Sequence, residues 1–585
     1  MIVIGLSAYY HESACALLAD GRLVAAVEEE RLTRVKHDSS LPVSAFRACL
    51  DRAGVDITDV SAVGYYEEPR AKLARQLWSR EVAGGPAGRG YLDGQRPERD
   101  IRQRLGWDGP IFRFPHHLSH AASAYLYSGF DESAVLTVDG VGEWTTGTSG
   151  TGRGVELNIE ADEVFPDSLG LFYATVTAYL GFAVNDGEYK VMGLAPYGQP
   201  RFREALGRAL HIRPNGTAAL DMTFFEFVGG RRMWSPAFEA LLGTAPRPPE
   251  SAVLPAHCDI ARSAQSVLEE ALLVRTRALA DRTGLRRLSF AGGVAQNCVA
   301  IGRIRRETPF GEVFVPPGAG DSGGAMGAAA LAYRTLTGRR PATLVDARLG
   351  PSFDSDGIGR LLASAGIAAL DFRGREGDLV DDVAGRLASG AIVGWFQGPM
   401  EFGARALGAR SILADPRDEG MREKLNARVK KREAFRPFAP SVLASAAGEV
   451  LDLDHASPFM LETCAVRSPL PLPAVTHVDG SARPHTVDPA VNPRFAALLR
   501  AFRTQTGVPL LVNTSMNVRG EPIVCTPTDA ITDLVEANLD ALVLEDFVVP
   551  REAVSEGAAA LLSRRSALYG ARSEPRLRQT IYSFF

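Results

Sequence analysis

The chain has 585 residues, of which 46% are hydrophobic and 23% are charged, and its formal net charge is −5. One hydrophobic core rarely serves more than roughly 250–300 residues, so we expect at least two domains. The charge balance argues against a general nucleic-acid-binding or membrane-surface protein, because either would need a basic excess on one face.

Short apolar runs predict strands at the start of the chain. Three such runs cover 2–8, 14–19 and 23–28. The Asp20-Gly21 pair between the last two is a hairpin signal. A similar strand at 134–139 ends in a glycine-containing turn. A strand that ends in a polar turn and doubles back therefore occurs twice, as expected of a domain with two similar halves.

Helical and strand patterns alternate along the rest of the chain, which predicts α/β architecture in both halves. The predicted helices cover 258–282, 322–332 and 375–389, and the predicted strands cover 288–290, 391–396, 509–513 and 541–545. The segment 335–357 is rich in Gly, Pro, Asp and Ser, which indicates a domain boundary. We expect a first domain over 1–345, a linker region over 346–370 and a second domain over 371–585.

A histidine pair is the first candidate for chemistry. His116 and His120 are four residues apart, so on a helix they would share one face. Such a pair commonly holds a metal when carboxylates complete the shell. Asp139 and Asp321, each in a glycine-flanked turn, are the candidate carboxylates. A helix face with hydrogen-bonded histidines is the alternative interpretation.

Two glycine-rich turns are the next candidates. Gly292 and Gly293, with Asn297 close by, would let the backbone approach a ligand. The run Gly318–Gly324, which includes Gly320, could seat a phosphate if a helix begins there. Tight packing is the alternative for both, and neither turn matches a P-loop or a dinucleotide fingerprint.

Basic side chains recur in the second half of the chain. The candidates are Arg405, Lys430, Arg436 and Arg483. Guanidinium forks suit phosphoryl and carboxyl oxygens, although a solvated face is the usual alternative for a charge run. Asn513 and Ser515 stand at the carboxyl end of a predicted strand, where open α/β sheets bind ligands. His11, just after the first strand, is a candidate general base, with a structural histidine as the alternative.

A series of motifs extends along nearly the whole chain. In chain order they are GLSAYYHESA (5–14), EEERLTRVKHD (28–38), HHLSHAASAY (116–125), VDGVGEW (138–144), YKVMGLAPYG (189–198), AGGVAQNC (291–298), GWFQGPMEFGARALGARSILADPR (394–417), FRPFAPS (435–441) and NTSMNVRGEPIV (513–524). Together they resemble the NodU/CmcH carbamoyltransferases, which include tobramycin and cephamycin O-carbamoyltransferases.

The resemblance implies a fold and a two-step reaction. The first domain would be of the actin/Hsp70-like ATPase (ASKHA) type found in threonylcarbamoyl transferases, and the second would be YrdC-like. The second domain would make carbamoyl adenylate from carbamoyl phosphate and ATP, with Mg²⁺ accompanying the ATP. The first would pass the carbamoyl group to a hydroxyl of a small-molecule natural product, such as an antibiotic or a sugar moiety.

The resemblance also implies roles for residues. The metal ligands would be His116, His120, Asp139 and Asp321, with iron as the expected metal. The acid/base candidates would be His11 and Lys36. The groups for carbamoyl phosphate and ATP would be Arg405, Lys430, Arg436, Arg483 and Ser515.

This sequence departs from the family pattern at three places in the second half. Met516 stands where Phe is usual, His485 where Gln is usual, and Gly403-Ala404-Arg405 replaces Gly-Pro-Arg. The charged groups remain, so we expect the chemistry to be retained.

Three other functions remain open at this stage. They are a tRNA threonylcarbamoyl-type enzyme, a sugar kinase or chaperone-like ATPase, and a non-catalytic ATP-binding module. The expected partners are carbamoyl phosphate, ATP and a hydroxylated small molecule. We expect neither a nucleic acid nor a membrane as a partner. A homodimer is possible. Acceptor selectivity is expected in 60–110 and 199–256. The six scattered cysteines and the lack of a signal-peptide pattern predict a cytoplasmic protein.

Overall fold

The computed structural model describes residues 1–83, 93–229 and 232–562. These residues form two compact units. Unit 1 comprises Met1–Glu29 and the described residues from His37 to Leu344, and unit 2 comprises Glu30–Lys36 and the described residues from Val345 onwards. The end of the expected second domain, 563–585, lies outside the described residues, as do 84–92 and 230–231 of the segments expected to select the acceptor.

Strands in the first part of the chain form two main sheets and a small one. They are β1 (Ile2–Ser7), β2 (Ala14–Ala19), β3 (Arg22–Glu28), β4 (Val60–Tyr65), β5 (Ile111–Arg113), β6 (Glu132–Val138), β7 (Thr145–Arg153), β8 (Glu156–Val164), β9 (Leu210–Ile212), β10 (Ala218–Leu220), β11 (Arg287–Ala291) and β12 (Glu312–Phe314).

The two main sheets of unit 1 have the same topology. In the first, the order is β3-β2-β1-β4-β5: β1, β2 and β3 are antiparallel, and β4 and β5 continue parallel to β1. In the second, the order is β8-β7-β6-β11-β12, with an antiparallel β6-β7-β8 meander and β11 and β12 parallel to β6. This repeat confirms the two similar halves and the actin/Hsp70-like ATPase type expected of the first domain.

Helices occur between these strands along the chain, and all but the first of them belong to unit 1. They are α1 (Glu29–Thr33), α2 (Val43–Ala53), α3 (Pro69–Ala83), α4 (Arg96–Leu105), α5 (His116–Tyr125), α6 (Leu169–Tyr179), α7 (Glu188–Leu194), α8 (Arg203–Ala209), α9 (Pro236–Leu242), α10 (Pro255–Thr283), α11 (Cys298–Glu307) and α12 (Asp321–Thr337). Helix α12 lies unusually close to its neighbours, because a Cβ at Gly327 would be 1.8 Å from the Ser119 carbonyl oxygen of α5. Gly327 thus allows the backbones of α5 and α12 to pack closely together.

Unit 2 is built on one eight-stranded mixed sheet. Its strands and the small β17-β18 pair are β13 (Leu370–Asp371), β14 (Val393–Phe396), β15 (Arg410–Ala414), β16 (Ala439–Leu443), β17 (Cys464–Ala465), β18 (Ser481–Ala482), β19 (His485–Val487), β20 (Leu510–Ser515), β21 (Ala541–Leu544) and β22 (Phe547–Pro550). The sheet order is β13-β22-β21-β14-β15-β20-β16-β19. This sheet confirms α/β architecture for the second half, and the YrdC-like identity stays a prediction.

The helices of unit 2 bury apolar faces on this sheet. They are α13 (Ser355–Ser364), α14 (Glu376–Ala388), α15 (Met421–Lys424), α16 (Ala447–Val450), α17 (Pro493–Thr506) and α18 (Pro527–Glu536), with a π-helical turn over Leu425–Val429. The segment 346–370, expected as a linker region, contains α13, whose Ile358 and Leu362 belong to the core of unit 2. That core also includes Trp395 of β14 and Phe495 of α17.

Most elements predicted from apolar spacing are confirmed within a few residues. The strands correspond to β1, β2, β3, β6, β11, β14, β20 and β21, and the helices correspond to α10, α12 and α14. Among the helices of the described ranges, none combines the length and the apolar character needed to cross a membrane.

Candidate active site

The four predicted metal ligands lie together in unit 1. His116 and His120 stand on successive turns at the start of α5, Asp139 directly follows β6, and Asp321 is the first residue of α12. One ligand atom from each lies within 4.8 Å of the others, and all four residues are buried. The structure therefore brings together residues from three segments that are distant in the sequence.

Distances within the cluster show that the imidazoles and carboxylates converge. The two Nε2 atoms of His116 and His120 are 2.9 Å apart. His120 Nε2 lies 3.0 Å from Asp139 Oδ2 and 3.6 Å from Asp321 Oδ1. Asp321 Oδ2 is buried and accepts no hydrogen bond from the described residues. Two imidazole nitrogens and two carboxylates, one with an unsatisfied buried oxygen, fit a divalent iron, manganese or zinc ion.

The electrostatics of the cluster favour ionised carboxylates. Burial would raise the pKa of Asp139, but His116 and His120 outweigh it and hold that pKa well below its usual range. Burial would lower the pKa of His120, but hydrogen bonds and charges from Asp139 and Asp321 raise it to about 9. The carboxylates are thus held in the form that binds cations.

Glu143 fixes the start of α5, a role that the sequence did not reveal. Its Oε1 accepts hydrogen bonds from the backbone N–H of His116 at 2.9 Å and of Glu68 at 2.7 Å. A Cβ at Gly142 would lie 2.9 Å from the His116 side chain, so the turn needs glycine there. The VDGVGEW motif (138–144) therefore supplies both a metal-ligand candidate and the anchor of the histidine helix.

His11 lies beside the metal-ligand cluster. It stands in the loop between β1 and β2, and its Nε2 is 3.8 Å from Asp321 Oδ2. Its side chain is one-fifth exposed. The loop is held by backbone hydrogen bonds from Tyr9 to Ser39 and from Ser13 to Asp38. The other acid/base candidate, Lys36, is grouped with unit 2 instead.

The predicted glycine turns border the same cluster. Gly292 has φ +94°, and a Cβ there would lie 2.3 Å from the Val138 carbonyl oxygen. A Cβ at Gly293 would lie 2.9 Å from Asp139 Oδ1, and one at Gly320 would lie 2.7 Å from Gln296 Nε2. These glycines allow the end of β11 and the start of α12 to approach Asp139.

Asn297 uses its amide within the protein. Its Oδ1 accepts from the Ala300 N–H at 3.1 Å, which caps helix α11. Its Oδ1 and Nδ2 also form a paired amide contact with Gln265, at 3.0 Å in both directions. These contacts indicate that Asn297 shapes the turn between β11 and α11.

Lys430 is a buried charged group of the predicted site in unit 2. It is 4% exposed and follows the π-helical turn. Its Nζ donates to the carbonyl oxygens of Ser515 and Asn517, to Asn517 Oδ1 at 2.8 Å and to Ser515 Oγ at 3.3 Å. Burial, with smaller contributions from Arg432 and Arg436, holds its pKa well below its usual range, although the charge of Asp533 acts in the opposite direction. These hydrogen-bond partners are neutral oxygens, so an anion bound nearby would stabilise the ammonium.

Glu401 holds the backbone of the loop that carries Arg405. Glu401 Oε1 accepts backbone hydrogen bonds from Leu407, Ala409 and Arg410, at 2.7, 2.6 and 3.1 Å. Arg410 is fully buried and donates to carbonyl oxygens, while Arg405 is half-buried on the same loop. Glu401 is a second residue whose role the sequence did not reveal.

Asn513 and His485 both form hydrogen bonds inside unit 2. Asn513 Nδ2 donates to Ala406 O at 3.0 Å and to Ser441 Oγ at 2.8 Å, and Ser441 Oγ contacts His485 Nδ1 at 2.8 Å. Burial, followed by the charge of Arg348, lowers the pKa of His485 to about 3. His485 is therefore neutral and belongs to a polar chain that joins the adjacent strands β20, β16 and β19.

The two remaining arginines differ in their surroundings. Arg436 Nη1 lies 3.7 Å from Glu433 Oε2. The buried Nε of Arg483 makes no hydrogen bond within the described part of the chain.

Met516, which stands where the family usually has Phe, is fully buried in the core of unit 2, so this difference changes core packing.

Comparison with known proteins adds family relationships. The model for the carbamoyltransferase N-terminus matches residues 2–85 and 101–330, and the model for the carbamoyltransferase C-terminus matches 384–551. The uncharacterized protein sll1178 of Synechocystis is 42% identical over 94% of this chain and 97% of its own length. Nodulation protein NolNO of Sinorhizobium fredii is 38% identical over 94% of this chain and 80% of its own length. The 3'-hydroxymethylcephem-O-carbamoyltransferase of Amycolatopsis lactamdurans is 29% identical over 92% of this chain and 97% of its own length.

Proposed function

The chain belongs to the NodU/CmcH family of carbamoyltransferases, and on this premise we propose that it uses carbamoyl phosphate and ATP to carbamoylate a hydroxyl group. As a member of that family it transfers carbamoyl groups to a small molecule. In the finer scheme, unit 2 forms carbamoyl adenylate. Unit 1 then transfers the carbamoyl group from the adenylate to the acceptor.

The donor reaction has a defined stoichiometry. Water cleaves carbamoyl phosphate to phosphate and carbamate. A carbamate oxygen then attacks the α-phosphorus of ATP, and pyrophosphate leaves with Mg²⁺. This activation replaces a poor electrophile with one whose leaving group is AMP. Each adenylate formed therefore releases one phosphate and one pyrophosphate, and neither step needs the acceptor.

The observation that carries this donor scheme is the buried Lys430. Its ammonium lies at the carboxyl end of β20, where Ser515 and Asn517 supply oxygens around it. A buried cation among neutral oxygens is suited to a phosphate dianion, which would also favour its protonated form. Arg405, Arg436 and Arg483 are proposed to complete the anion site.

In the transfer reaction the acceptor oxygen attacks the carbamoyl carbon, and the bond from that carbon to the AMP oxygen breaks. His11 is proposed to accept the hydroxyl proton, because Asp321 Oδ2, at 3.8 Å from its Nε2, would stabilise the imidazolium that forms. His116, His120, Asp139 and Asp321 would hold a divalent metal, with iron as the expected ion. When bound, this metal would act as a Lewis acid toward the phosphate group of the departing AMP.

The turn glycines have a part in the same scheme. Gly292, Gly293 and Gly320 border the metal-ligand cluster, and their lack of side chains would let the adenylate approach it. Lys36 is retained as a proposed acid/base group, although its grouping with unit 2 offers no support for a role beside His11.

The acceptor is proposed to be a hydroxylated natural product. The cephem relative is named for carbamoylation of a 3'-hydroxymethyl cephem, and other relatives are named for nodulation. Within 60–110, Trp78 is 38% exposed and contacts Trp144 and Phe165, at ring-centroid distances of 5.7 and 5.9 Å. Trp144 directly follows Glu143, the anchor of α5. Such an aromatic surface suits the apolar face of a ring-containing acceptor.

The test measures phosphate, pyrophosphate and carbamoylated product in reactions of the purified chain. Acceptors are a hydroxymethyl cephem, an aminoglycoside and a nodulation-factor oligosaccharide, each with ATP and carbamoyl phosphate. We expect pyrophosphate release that requires carbamoyl phosphate, and a product heavier by one carbamoyl group with at least one acceptor. Pyrophosphate release that is independent of carbamoyl phosphate would refute the donor scheme.

A further inference from the structure

The segment Glu30–Lys36 belongs to unit 2, although the residues on either side of it in the sequence belong to unit 1. We propose that Arg34 in this segment, assisted by Arg31, is a positioning residue for the carbamoyl-phosphate site of unit 2. The proposal rests on the donor scheme above. It assigns a role in donor binding to the ERLTRVK stretch near the start of the chain.

Arg34 is anchored to a turn that follows β20. Its Nη1 donates to the Ile523 carbonyl oxygen at 2.6 Å, and its Nη2 donates to the Pro522 carbonyl oxygen at 2.9 Å. The side chain is buried, and the backbone has φ +59°, which non-glycine residues rarely adopt. The guanidinium fork thus holds two successive carbonyls of one turn.

The held turn is connected to Lys430 by hydrogen bonds. Asn517 Nδ2 donates to the Glu521 carbonyl oxygen at 2.7 Å, one peptide away from Pro522. Asn517 Oδ1 accepts from Lys430 Nζ at 2.8 Å and from Ser515 Oγ at 2.7 Å. Because Asn517 links the turn to the ammonium, a displaced turn would move an oxygen that orients Lys430.

Arg31 and Leu32 hold a second part of the same site. Arg31 Nη2 donates to the Gly403 carbonyl oxygen at 2.9 Å, two residues before Arg405, and Gly403 has φ +105°. Leu32 packs against the apolar cluster of Met400, Ile523 and Cys525. The segment therefore contacts the loop that carries Arg405 and the turn that Asn517 connects to Lys430.

The hydrogen bonds described above join Arg34 and Arg31 to carbonyl oxygens. Carboxylate oxygens of Glu521 and Asp529 each lie 4.0 Å from the Arg34 guanidinium, and one of Glu30 lies 3.0 Å from that of Arg31. Neither arginine is proposed to touch the donor. Their contribution would come through geometry. A lysine could keep the charge of Arg34 but could not reproduce the fork that spans two carbonyls. We therefore expect Arg34→Lys to impair donor binding while altering folding less than Arg34→Ala does.

Arg247 offers a matched control in unit 1. It is similarly buried and donates to the Leu180 carbonyl oxygen at 2.6 Å and to the Ser251 carbonyl oxygen at 2.5 Å. Its replacement removes a buried guanidinium with backbone acceptors and leaves the donor site intact. Arg247→Ala should therefore lower the melting temperature without changing donor binding.

The experiment measures pyrophosphate release by the full chain without acceptor, with carbamoyl phosphate varied at saturating ATP, beside thermal melts. We expect Arg34→Ala to raise KM for carbamoyl phosphate about tenfold, the scale of one charge-assisted hydrogen bond. Arg34→Lys should raise KM severalfold with a melt close to wild type, and KM of Arg247→Ala should match wild type.

The outcomes separate the inference from the donor scheme. If wild type releases pyrophosphate on addition of carbamoyl phosphate but KM is unchanged in Arg34→Ala, the positioning role is overturned. If Arg34→Ala does not fold, an unchanged KM in both Arg34→Lys and Arg31→Lys overturns it. If wild type shows no such release, the donor scheme itself fails, and the inference fails with it.

Discussion

Replacing Lys430 by Met removes the buried ammonium while nearly preserving side-chain length. The wild-type Nζ lies 2.9 Å from the Asn517 carbonyl oxygen and 2.8 Å from Asn517 Oδ1. A contact between this charge and a phosphate would contribute about 1.5–3 kcal/mol, so its loss should weaken carbamoyl phosphate binding about ten- to a hundredfold. The substitution also removes the desolvation cost of the charge but leaves oxygens without a donor. Because these two effects oppose each other, we expect a smaller change in stability than in binding.

The assay is acceptor-free pyrophosphate release with carbamoyl phosphate varied, beside thermal melts. Lys424→Met is the control, because Lys424 is exposed and pairs with Asp418 at 2.7 Å on the surface of unit 2. Burial holds the pKa of Lys430 well below its usual range, so the ammonium, and with it wild-type donor affinity, should be lost as pH rises through that lowered pKa. An unchanged KM in Lys430→Met, with the same pH profile, would refute the role of Lys430 in donor binding.

Three further predictions concern other residues. His120→Ala should lose bound metal in elemental analysis, because it removes a central ligand; equal metal in both proteins would contradict the assignment. Arg405→Ala should be rescued by supplied carbamoyl adenylate and His11→Asn should not, and equal rescue of the two variants would argue against two separate sites. Burial holds the pKa of His485 at about 3, below its ordinary 6.5, so the unfolded chain takes up a proton first and stability falls as pH drops below about 6.5. His485→Gln should lose less stability between about pH 7 and pH 5 in thermal melts, and identical melts would contradict this.

The candidate metal site was predictable because its signals are local. The spacing of His116 and His120 already implies one helix face, and the glycines beside Asp139 and Asp321 indicate turns at the ends of elements. The resemblance to a known family then implied that these distant segments contribute to one metal site. The structure adds the anchor at Glu143, whose contact with the His116 N–H no spacing rule reveals.

Other features depend on packing between distant segments and were therefore hidden. Asn297 stands beside a glycine turn as a ligand-binding residue would, but its amide is used by Gln265, which comes from a helix far away in sequence. Lys36 was expected in the first domain, but its segment is grouped with unit 2. In the same way, the burial of Met516 could be known only once the core of unit 2 was assembled.

The most direct test of the central claim is to follow the carbon of carbamoyl phosphate. The chain is incubated with [¹³C]carbamoyl phosphate and ATP without acceptor, and the nucleotides are analysed by mass spectrometry. The account predicts ¹³C-labelled carbamoyl adenylate, formed with equal pyrophosphate and reduced in Lys430→Met. Carbamoylation of an acceptor by [¹³C]carbamoyl phosphate when ATP is omitted would contradict it.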